Sequence, residues 1–473
     1  MIPVSSLDAG MLYVETQAMP MHTMGVLLIE RPGDAETSAL ELIRQALEER
    51  LHMIPPFRRK LVQGPLKIGD PYWIEDPEFD LDKHLSHHVL PAPGGRHELD
   101  GLIGDLAGGC LSRDKPLWEM AVIEGIEDGR IALVTKIHHA TMDGGKGAAL
   151  MGQLFSTEPH GDVSPPEERW VPDREPRTPW LMADTVRTLV GKPRRVASAA
   201  TGIVSGLRGR GKKSDGAPKE EKPDKPGLFE APSTMFNRAL TPARVVGLCD
   251  VPLDDVKAVG RALDATVNDV VLAASCASLR AWLLSHGGLP DRPLVAVVPV
   301  SLRGESDNKD EGNRVTIMRV RLPIHIEDPV ERLKAIHEIM RVGKKGQSRG
   351  GGGGGGVLQH MADIATNVTV PVFLTQLLGL YSSGSVADRL PAPWNLVISN
   401  VAGSPVPLYF GEARLRQLYP LGPVQQGSGL NITVLSNDSR LCFGALGCKE
   451  LVPDVEDIAT GFEEEIQRLK GLI

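Results

Sequence analysis

The chain has 473 residues, of which 41% are hydrophobic and 24% are charged, and its formal net charge is −8. Because this length exceeds what one hydrophobic core usually serves, two domains are expected. The negative balance argues against a nucleic-acid partner, whose phosphates would have to be neutralised by Lys and Arg.

Cysteine use and apolar runs narrow the class of protein further. The five cysteines are scattered without CxxC spacing, which favours a reducing compartment over a zinc or redox motif. The N-terminus lacks the basic and apolar regions of a secretory signal, and no apolar run approaches the ~20 residues that span a bilayer. We therefore expect a cytoplasmic protein, and peripheral contact with a lipid surface stays open.

Strand and helix patterns alternate over residues 1–155, which we predict to form an N-terminal domain. The predicted elements are a strand over Met24–Glu30, helices over Ala39–Leu51 and His97–Ser112, and strands over Glu119–Glu124 and Ile131–His138. The Asp128-Gly129 step between the last two strands favours a hairpin.

Residues 156–237 are predicted to be a linker, because prolines and charged residues interrupt any apolar pattern. A helix is expected over residues 180–203, with an interruption at Pro193, and residues 208–226 are expected to be mobile. We expect the basic residues of this region to belong to a solvated linker. A membrane or cofactor contact is the alternative.

Residues 238–473 resume the alternation and are predicted to be a second α/β domain. The predicted elements are a helix capped by Thr266 that runs to Leu284, strands over Leu294–Val300, Trp394–Ser399 and Leu430–Leu435, and a helix over Val455–Leu469 capped by Asp454. The glycine run 350–356 predicts a loop, and it lacks the P-loop pattern. Residues 368–380 are strongly apolar and predict a core helix, with an acyl-chain wall or lipid-facing surface as the alternative.

Two adjacent histidines, His138 and His139, lie at the end of the predicted strand over Ile131–His138. Side chains alternate along a strand, so His139 shares a face with Ile137, whereas His138 shares the other face with Lys136. Only one of the two rings can then enter a given site, and the other packs or supports.

Asp143 and Gly144 follow His139 closely, and Gly144-Gly145 permits a sharp turn. A histidine mounted at a strand end suits a general base, because imidazole titrates near neutral pH and can take the proton of an attacking alcohol. A purely structural pair and a metal-binding pair are the alternatives. The metal reading is disfavoured because the H-E-x-x-H pattern is missing from the sequence.

The sequence resembles the bacterial wax ester synthase/acyl-CoA:diacylglycerol acyltransferases, which belong to the superfamily of chloramphenicol acetyltransferase, carnitine acyltransferases and nonribosomal condensation domains. The resemblance covers nearly the whole chain. It rests on the HHxxxDG motif at 138–144, the N-terminal blocks at 6–9 and 20–22, the PLW motif at 116–118, the ND motif at 268–269, and the blocks at 299–303, 312–313 and 399–403. Ala402 stands where the family usually has proline.

This resemblance implies two chloramphenicol-acetyltransferase-like α/β sandwich domains with a reaction tunnel between them. It implies that His139 is the general base, that His138 supports it, that Asp143 holds the loop in shape and that Gly144 allows close backbone approach. No bound cofactor and no metal are expected, and acyl-CoA is the expected co-substrate.

Six further residues are candidates for substrate binding or structural support. They are Trp118, Asn268, Asp269, Arg303, Ser399 and Asn400. Core packing is favoured for Trp118, and an ion pair for Arg303. Asn268 and Asp269 suit helix caps as well as a site, and Asn400 could donate to an oxyanion or brace the following turn.

The implied activity is transfer of a long-chain acyl group from acyl-CoA to diacylglycerol or a fatty alcohol, which yields triacylglycerol or wax ester. Two rivals stay open: a condensation-type acyltransferase that takes its acyl group from a carrier protein, and a non-catalytic lipid-binding protein on the same fold. The intact His139, Asp143 and Gly144 argue against the second rival.

Overall fold

The computed structural model describes residues 1–31, 37–64, 71–141, 146–159, 161, 170–191, 226, 230–301, 315–349, 388 and 392–473. The helices within these ranges are α1 (Ser6–Val14), α2 (Ala39–Arg50), α3 (Pro55–Arg58), α4 (Arg96–Ala107), α5 (Lys146–Leu154), α6 (Thr178–Gly191), α7 (Leu253–Ala262), α8 (Val267–Ser285), α9 (Pro329–Arg349) and α10 (Val455–Lys470).

The strands within the same ranges are β1 (Ile2–Pro3), β2 (His22–Ile29), β3 (Arg59–Val62), β4 (Tyr72–Glu75), β5 (Leu85–Val89), β6 (Trp118–Glu124), β7 (Ile131–His138), β8 (Arg244–Pro252), β9 (Leu294–Ser301), β10 (Val315–Leu322), β11 (Leu396–Ala402), β12 (Leu408–Phe410), β13 (Ala413–Leu421), β14 (Leu430–Asn437) and β15 (Arg440–Cys448).

These strands form two mixed six-stranded sheets and a small three-stranded one. The first large sheet has the order β12-β13-β2-β7-β6-β5, and the second has the order β10-β9-β11-β14-β15-β8. Most neighbours are antiparallel, whereas β11 runs parallel to both β9 and β14, and β5 runs parallel to β6. The predicted α/β architecture with two sheet-based halves is confirmed.

The elements with the strongest local signals form where the sequence predicts them. The β6–β7 hairpin turns through Gly129, whose φ of +75° is a conformation that glycine adopts readily. Thr266 caps α8 in a capping box, since its hydroxyl accepts the Asp269 N–H and the Asp269 carboxylate accepts the Thr266 N–H. The predicted end of α4 at Ser112 is wrong, because the helix stops before Gly108.

Alternate side chains of β2 enter two different cores. Val26 and Leu28 pack into a core that includes Val246 and the helices of the C-terminal half. Leu27 and Ile29 face the opposite way, into a core built with α2. β2 thus contributes to both cores, and the core that contains Val26 and Leu28 also contains apolar residues of the C-terminal half.

Strands also cross between the halves. β12 and β13 come from the C-terminal half of the sequence, yet they extend the first sheet, where β13 pairs antiparallel with β2 from Leu415–Ile29 to Leu421–Met24. Local sequence patterns gave no sign of this exchange. The predicted domain boundaries at residues 155 and 238 stay a prediction. A division of the chain at these residues does not account for the pairing of β13 with β2.

Of the described helices, α8 alone is long and apolar enough to cross a bilayer, and 67% of its apolar window is buried inside the protein. Several predicted features lie outside the described residues: the continuation of the linker helix beyond 191, most of 208–226, the glycine run 350–356 and the apolar stretch 368–380.

Candidate active site

The histidine pair lies where β7 ends. β7 runs to His138, and His139 begins a short 3-10 turn that ends at Thr141. Along β7, Leu133 and Ile137 pack into one core and Val134 into the other, so the predicted alternation of faces is confirmed. The strand ends at His138, so His139 lies in the turn and not on the strand as predicted.

His138 is buried, with a hydrogen bond at one ring nitrogen and a carboxylate close to the other. Its Nδ1 accepts the backbone N–H of Ala140 at 3.0 Å, so Nε2 carries the proton in the neutral ring. That Nε2 lies 3.3 Å from Oε1 of Glu15. His138 is therefore fixed in position, as suits a supporting residue.

Glu15 connects this ring to two other elements. Its carboxylate accepts the backbone N–H of Met21 at 3.1 Å and an N–H of Arg113 at 3.0 Å. Burial alone would raise the pKa of Glu15, but His138, Arg113 and the Met21 N–H together lower it to about 2. The side chain is thus a buried, ionised bridge at neutral pH.

His139 is fixed through its backbone and half-buried at its side chain. Its N–H donates to the carbonyl of Met21 at 2.8 Å. Burial lowers the pKa of His139, neighbouring His138 lowers it further, and the charge of Asp8 opposes both. The ring is therefore neutral at pH 7, which is the form that can accept a proton.

The N-terminal segment holds the turn that carries His139. α1 packs against this turn, and its first turn is capped by Ser5, whose hydroxyl accepts the Asp8 N–H at 3.2 Å. Thr141 closes the turn by donating its hydroxyl to the carbonyl of His138 at 2.7 Å. The block at residues 6–9 thereby forms part of the frame around the histidines.

His22 lies beside His138 in the paired strands β2 and β7. It is buried, and burial first and the charge of Lys136 second lower its pKa to about 3. It is a neutral ring packed beside the strand end that carries the histidine pair.

A second polar group forms between α8 and β11. Nδ2 of Asn400 lies 3.4 Å from Oδ1 of Asn268, and the buried Nδ2 of Asn268 has no partner among the described residues. The neighbouring Asp269 caps α8 and accepts from His337 at 2.8 Å. Ser399 is half-buried on β11 beside Thr433 of β14.

The structure brings Asn268 and Asn400 together, as one site would require, while Asp269 belongs to the helix cap. Within the described ranges, this pair shares no hydrogen bond with the His138–His139 group. Its part in substrate binding stays a prediction.

Trp118 lies in the core of the first half. It is 1% exposed and stacks between Phe57 and His84, with ring centroids 4.3 Å away on each side. Its indole N–H donates to the carbonyl of Phe57 at 2.8 Å. This placement matches the core role favoured for it.

Asp143, Gly144 and Arg303 lie outside the described residues, so their roles stay predictions. Glu15 and Arg113 were missed by sequence reasoning, since a lone acid and a lone base form no local pattern. The one available signal was position: Glu15 lies between the motif blocks at 6–9 and 20–22, and Arg113 lies just before the PLW motif.

Metal binding finds no support in the described residues, which contain no group of three or more His, Cys, Asp or Glu side chains placed to hold an ion. The site thus contains the neutral imidazole of His139 and, behind it, the ionised carboxylate of Glu15. The amides of Asn268 and Asn400 lie elsewhere. An imidazole held in this way, at a strand end of a two-sheet fold, has the position and protonation state that suit a general base.

The comparisons with known proteins name the family. Residues 4–271 match the wax ester synthase/diacylglycerol acyltransferase catalytic domain, and residues 311–470 match the C-terminal domain of the same family. The chain therefore belongs to the wax ester synthase/diacylglycerol acyltransferase family and is an O-acyltransferase.

Relatives and solved structures agree with this assignment. The chain is 35% identical to a putative diacylglycerol O-acyltransferase of Mycobacterium tuberculosis, over 98% of this chain and 89% of that protein. It is 33% identical to the O-acyltransferase WSD of Acinetobacter baylyi, over 100% of this chain and 98% of that protein. The structure of the wax ester synthase/diacylglycerol acyltransferase from Marinobacter aquaeolei VT8 superposes with a TM-score of 0.69 at 26% identity, over 99% of both chains.

The fold extends to more distant proteins. The first condensation domain of the calcium-dependent antibiotic synthetase matches with a TM-score of 0.51 at 16% identity, over 99% of this chain and 95% of that one. At this identity the match shows the shared fold alone.

Proposed function

We propose that the protein transfers a long-chain acyl group from acyl-CoA to the hydroxyl of diacylglycerol or a fatty alcohol, with His139 as general base. The observation that carries the proposal is the neutral His139 ring at the end of β7, fixed by Met21 and backed by the His138–Glu15 pair. Family membership and the names of the relatives supply the substrate class.

The reaction needs a single proton carrier. His139 removes the proton of the acceptor hydroxyl as its oxygen attacks the thioester carbonyl. The tetrahedral intermediate then expels the CoA thiolate, which takes the proton back from the imidazolium, so ester and CoA thiol are the products. General-base catalysis of this kind contributes about 10²–10⁴-fold.

A covalent acyl-cysteine route is disfavoured. Burial raises the pKa of Cys110 to about 11 and that of Cys276 and Cys442 to about 12, so these thiols are protonated at neutral pH. The sequence also lacks the G-x-S-x-G pattern of a serine nucleophile. Direct transfer between the two substrates fits the residues better.

The decisive experiment gives purified protein palmitoyl-CoA with diacylglycerol and hexadecanol as competing acceptors. Free thiol is followed by colorimetry and the products are identified by mass. His139→Ala should abolish nearly all transfer, while the circular dichroism spectrum and melting temperature stay close to wild type. Substantial residual turnover of the folded variant would remove His139 from the mechanism.

The same assay separates the rivals. A condensation-type enzyme would use acyl-carrier protein in place of acyl-CoA, and a lipid-binding protein would bind the acceptor without releasing thiol. The expected cytoplasmic location is part of this proposal.

We also propose that α6 lies on the lipid surface that supplies the acceptor. Three apolar side chains of this helix are exposed to solvent: Trp180 is 43%, Met182 is 54% and Val186 is 58% exposed. Exposed apolar side chains clustered on one helix mark an interaction surface, and tryptophan is favoured at membrane interfaces.

In the part of the chain that the structure describes, the acidic side chains in and before α6 have partners and the exposed arginines do not, as binding to an anionic surface requires. The acidic side chains have partners in the body of the protein: Asp184 accepts from Tyr72, Glu175 pairs with Lys60, and Asp173 accepts the Glu75 N–H. Within the described ranges, no ion pair is formed by the exposed arginines Arg174, Arg177 and Arg187.

Co-sedimentation with phosphatidylglycerol and phosphatidylcholine vesicles tests this surface. Wild type should bind the anionic vesicles and lose binding at high salt. A Met182→Glu/Val186→Glu double variant should stay in the supernatant, whereas Val89→Glu, a change at a 66% exposed apolar residue of β5, should bind normally. Equal binding by all three proteins contradicts the assignment.

A further inference from the structure

Two buried acidic side chains lie at opposite ends of α1. Asp8 belongs to the first turn of the helix, and Glu15 stands at its C-terminal cap, seven residues later. Seven residues are about two helical turns, so the two carboxylates project from the same side of α1, about 10 Å apart along its axis. Both are buried, since Asp8 is 6% exposed and the Glu15 side chain is 5% exposed.

The apolar residue between the two acids shows which way this side of α1 faces. Leu12 lies four residues after Asp8 and three before Glu15, on the same side of the helix. It belongs to a core cluster that also contains Ala140, the residue directly after His139. The side of α1 that carries both carboxylates therefore faces the turn of the histidines.

Each carboxylate acts on a different ring. Glu15 lies 3.3 Å from Nε2 of His138. Asp8 acts on His139, because its negative charge raises the pKa of that imidazole against the lowering effects of burial and of His138. Within the described part of the chain, Asp8 is the carboxylate whose charge reaches the His139 ring.

The Asp8 carboxylate is held in place at the start of the helix. The Ser5 hydroxyl donates to Oδ2 of Asp8 at 2.7 Å and accepts the Asp8 N–H at 3.2 Å. A carboxylate in a buried position acts on a neighbouring charge more strongly than one in water, because the local dielectric constant is lower. A carboxylate that is already fixed also needs no reorganisation when that charge forms.

We propose that Asp8 stabilises the imidazolium that forms on His139 during acyl transfer, as a positioning residue that acts through the base. This inference rests on the proposed function, in which His139 becomes positively charged when it takes the hydroxyl proton. Glu15 and Asp8 then have separate roles: Glu15 fixes the His138 ring, whereas Asp8 makes His139 a stronger base.

Steady-state kinetics of the full chain with palmitoyl-CoA and hexadecanol, measured from pH 5 to pH 9, test this role. Asp8→Asn removes the charge at nearly constant volume. The acidic limb of kcat/KM should move to lower pH by about 0.5–1 pH unit, and kcat on the plateau should fall about three- to tenfold, because one pH unit corresponds to a factor of ten in proton affinity. Asp8→Glu keeps the charge and should recover most of the loss.

Ser5→Ala is the matched structural control. It removes the N-cap hydroxyl and its contact with Asp8 but leaves the carboxylate charge, so it should lower the melting temperature and leave the acidic limb in place. If Asp8→Asn behaves like Ser5→Ala, with lower stability and an unchanged limb, Asp8 has a structural role and the inference is wrong. Should Asp8→Asn fail to fold by circular dichroism, Asp8→Ser, which is also neutral, takes its place.

His139→Ala separates this inference from the proposed function. Normal turnover by that variant would refute the general-base role and with it the role of Asp8. If His139→Ala is inactive while the acidic limb of Asp8→Asn coincides with that of wild type, the role of Asp8 alone is refuted.

Discussion

Glu15 and His138 form a buried pair in which the carboxylate lies 3.3 Å from Nε2 of the ring, and both side chains are at most 5% exposed. The pair stands directly behind the proposed base, because His139 follows His138 at the end of β7. The charge that fixes the active-site turn thus comes from a residue more than a hundred positions earlier in the chain.

Glu15→Gln should lower acyl transfer by about 10- to 100-fold, mainly in kcat, because a small displacement of the base is enough to slow proton transfer. Steady-state kinetics with varied palmitoyl-CoA checks this. Arg113→Gln leaves the His138 contact in place and should have a smaller effect. A Glu15→Gln enzyme with normal kcat would show that the pair does not position His139.

The same residue makes a prediction about acid stability. The pKa of Glu15 falls from 4.5 to about 2 on folding, so its stabilising effect is complete above pH 4.5 and is lost as the pH falls towards 2. The shift corresponds to roughly 3 kcal/mol. Urea unfolding followed between pH 5 and pH 2 should show a shallower decline for Glu15→Gln than for wild type.

The pH dependence of the reaction tests His139 directly. The pKa of His139 is lowered by burial and then by His138, so the acidic limb of kcat/KM should have its inflection below pH 6.5. Removing the influence of His138 in His138→Gln should move that inflection upward. A limb that does not respond to His138 would have to be assigned to another group.

Much of this frame could be predicted from the sequence, for local reasons. The strand before the histidines, the hairpin at Gly129 and the Thr266–Asp269 cap depend on neighbours within a few residues, and all three are present. Residue alternation along β7 predicted the two faces of the strand up to His138, whereas His139 lies in the 3-10 turn that follows.

Long-range pairing was not predictable in this way. β13 pairs with β2, which lies about 390 positions earlier in the sequence. The apolar residues of a strand do not specify which other strand it pairs with. Asp454 is a second example: it stands at the start of α10 as predicted, but its carboxylate accepts from the Trp282 indole instead of capping the helix. Both outcomes depend on which surfaces meet after folding.

A third test of pH dependence concerns His22, which must stay neutral in the folded protein. Its pKa falls from 6.5 to about 3, so protonation favours the unfolded chain and stability declines as the pH drops below 6.5. One such group contributes up to about 1.4 kcal/mol per pH unit. His22→Gln should flatten the urea midpoint between pH 7 and pH 5, and His97→Gln, at an exposed position of α4, should leave the slope unchanged.

Substitutions at the two residues of the ND motif should affect different properties, activity in one case and stability in the other. Asn268→Ala removes a buried amide whose Nδ2 is open and should lower kcat by about tenfold or more if that N–H meets the substrate. Asp269→Asn weakens the cap and the His337 contact, so its main effect should be a lower melting temperature. Equal loss of stability with full activity in both variants would reduce Asn268 to a structural role.

The crossing of β13 over the second sheet can be tested at Gly444 of β15. A Cβ built there would come within 2.1 Å of the Pro420 carbonyl oxygen, which is backbone and cannot turn aside. Gly444→Ala should therefore push β13 away from β15 and lower the unfolding free energy by about 1–3 kcal/mol or more. Since β13 also pairs with β2, acyl transfer should fall with stability.

Gly101 in α4 is the matched control for that variant. A Cβ at Gly101 would meet no atom within 4 Å, and alanine is the better helix former, so Gly101→Ala should raise stability by about 0.5–1 kcal/mol with activity unchanged. Chemical denaturation of the two variants beside wild type gives the comparison. If Gly444→Ala proved as stable as Gly101→Ala, the close contact between β13 and β15 would not be what holds the two halves in register.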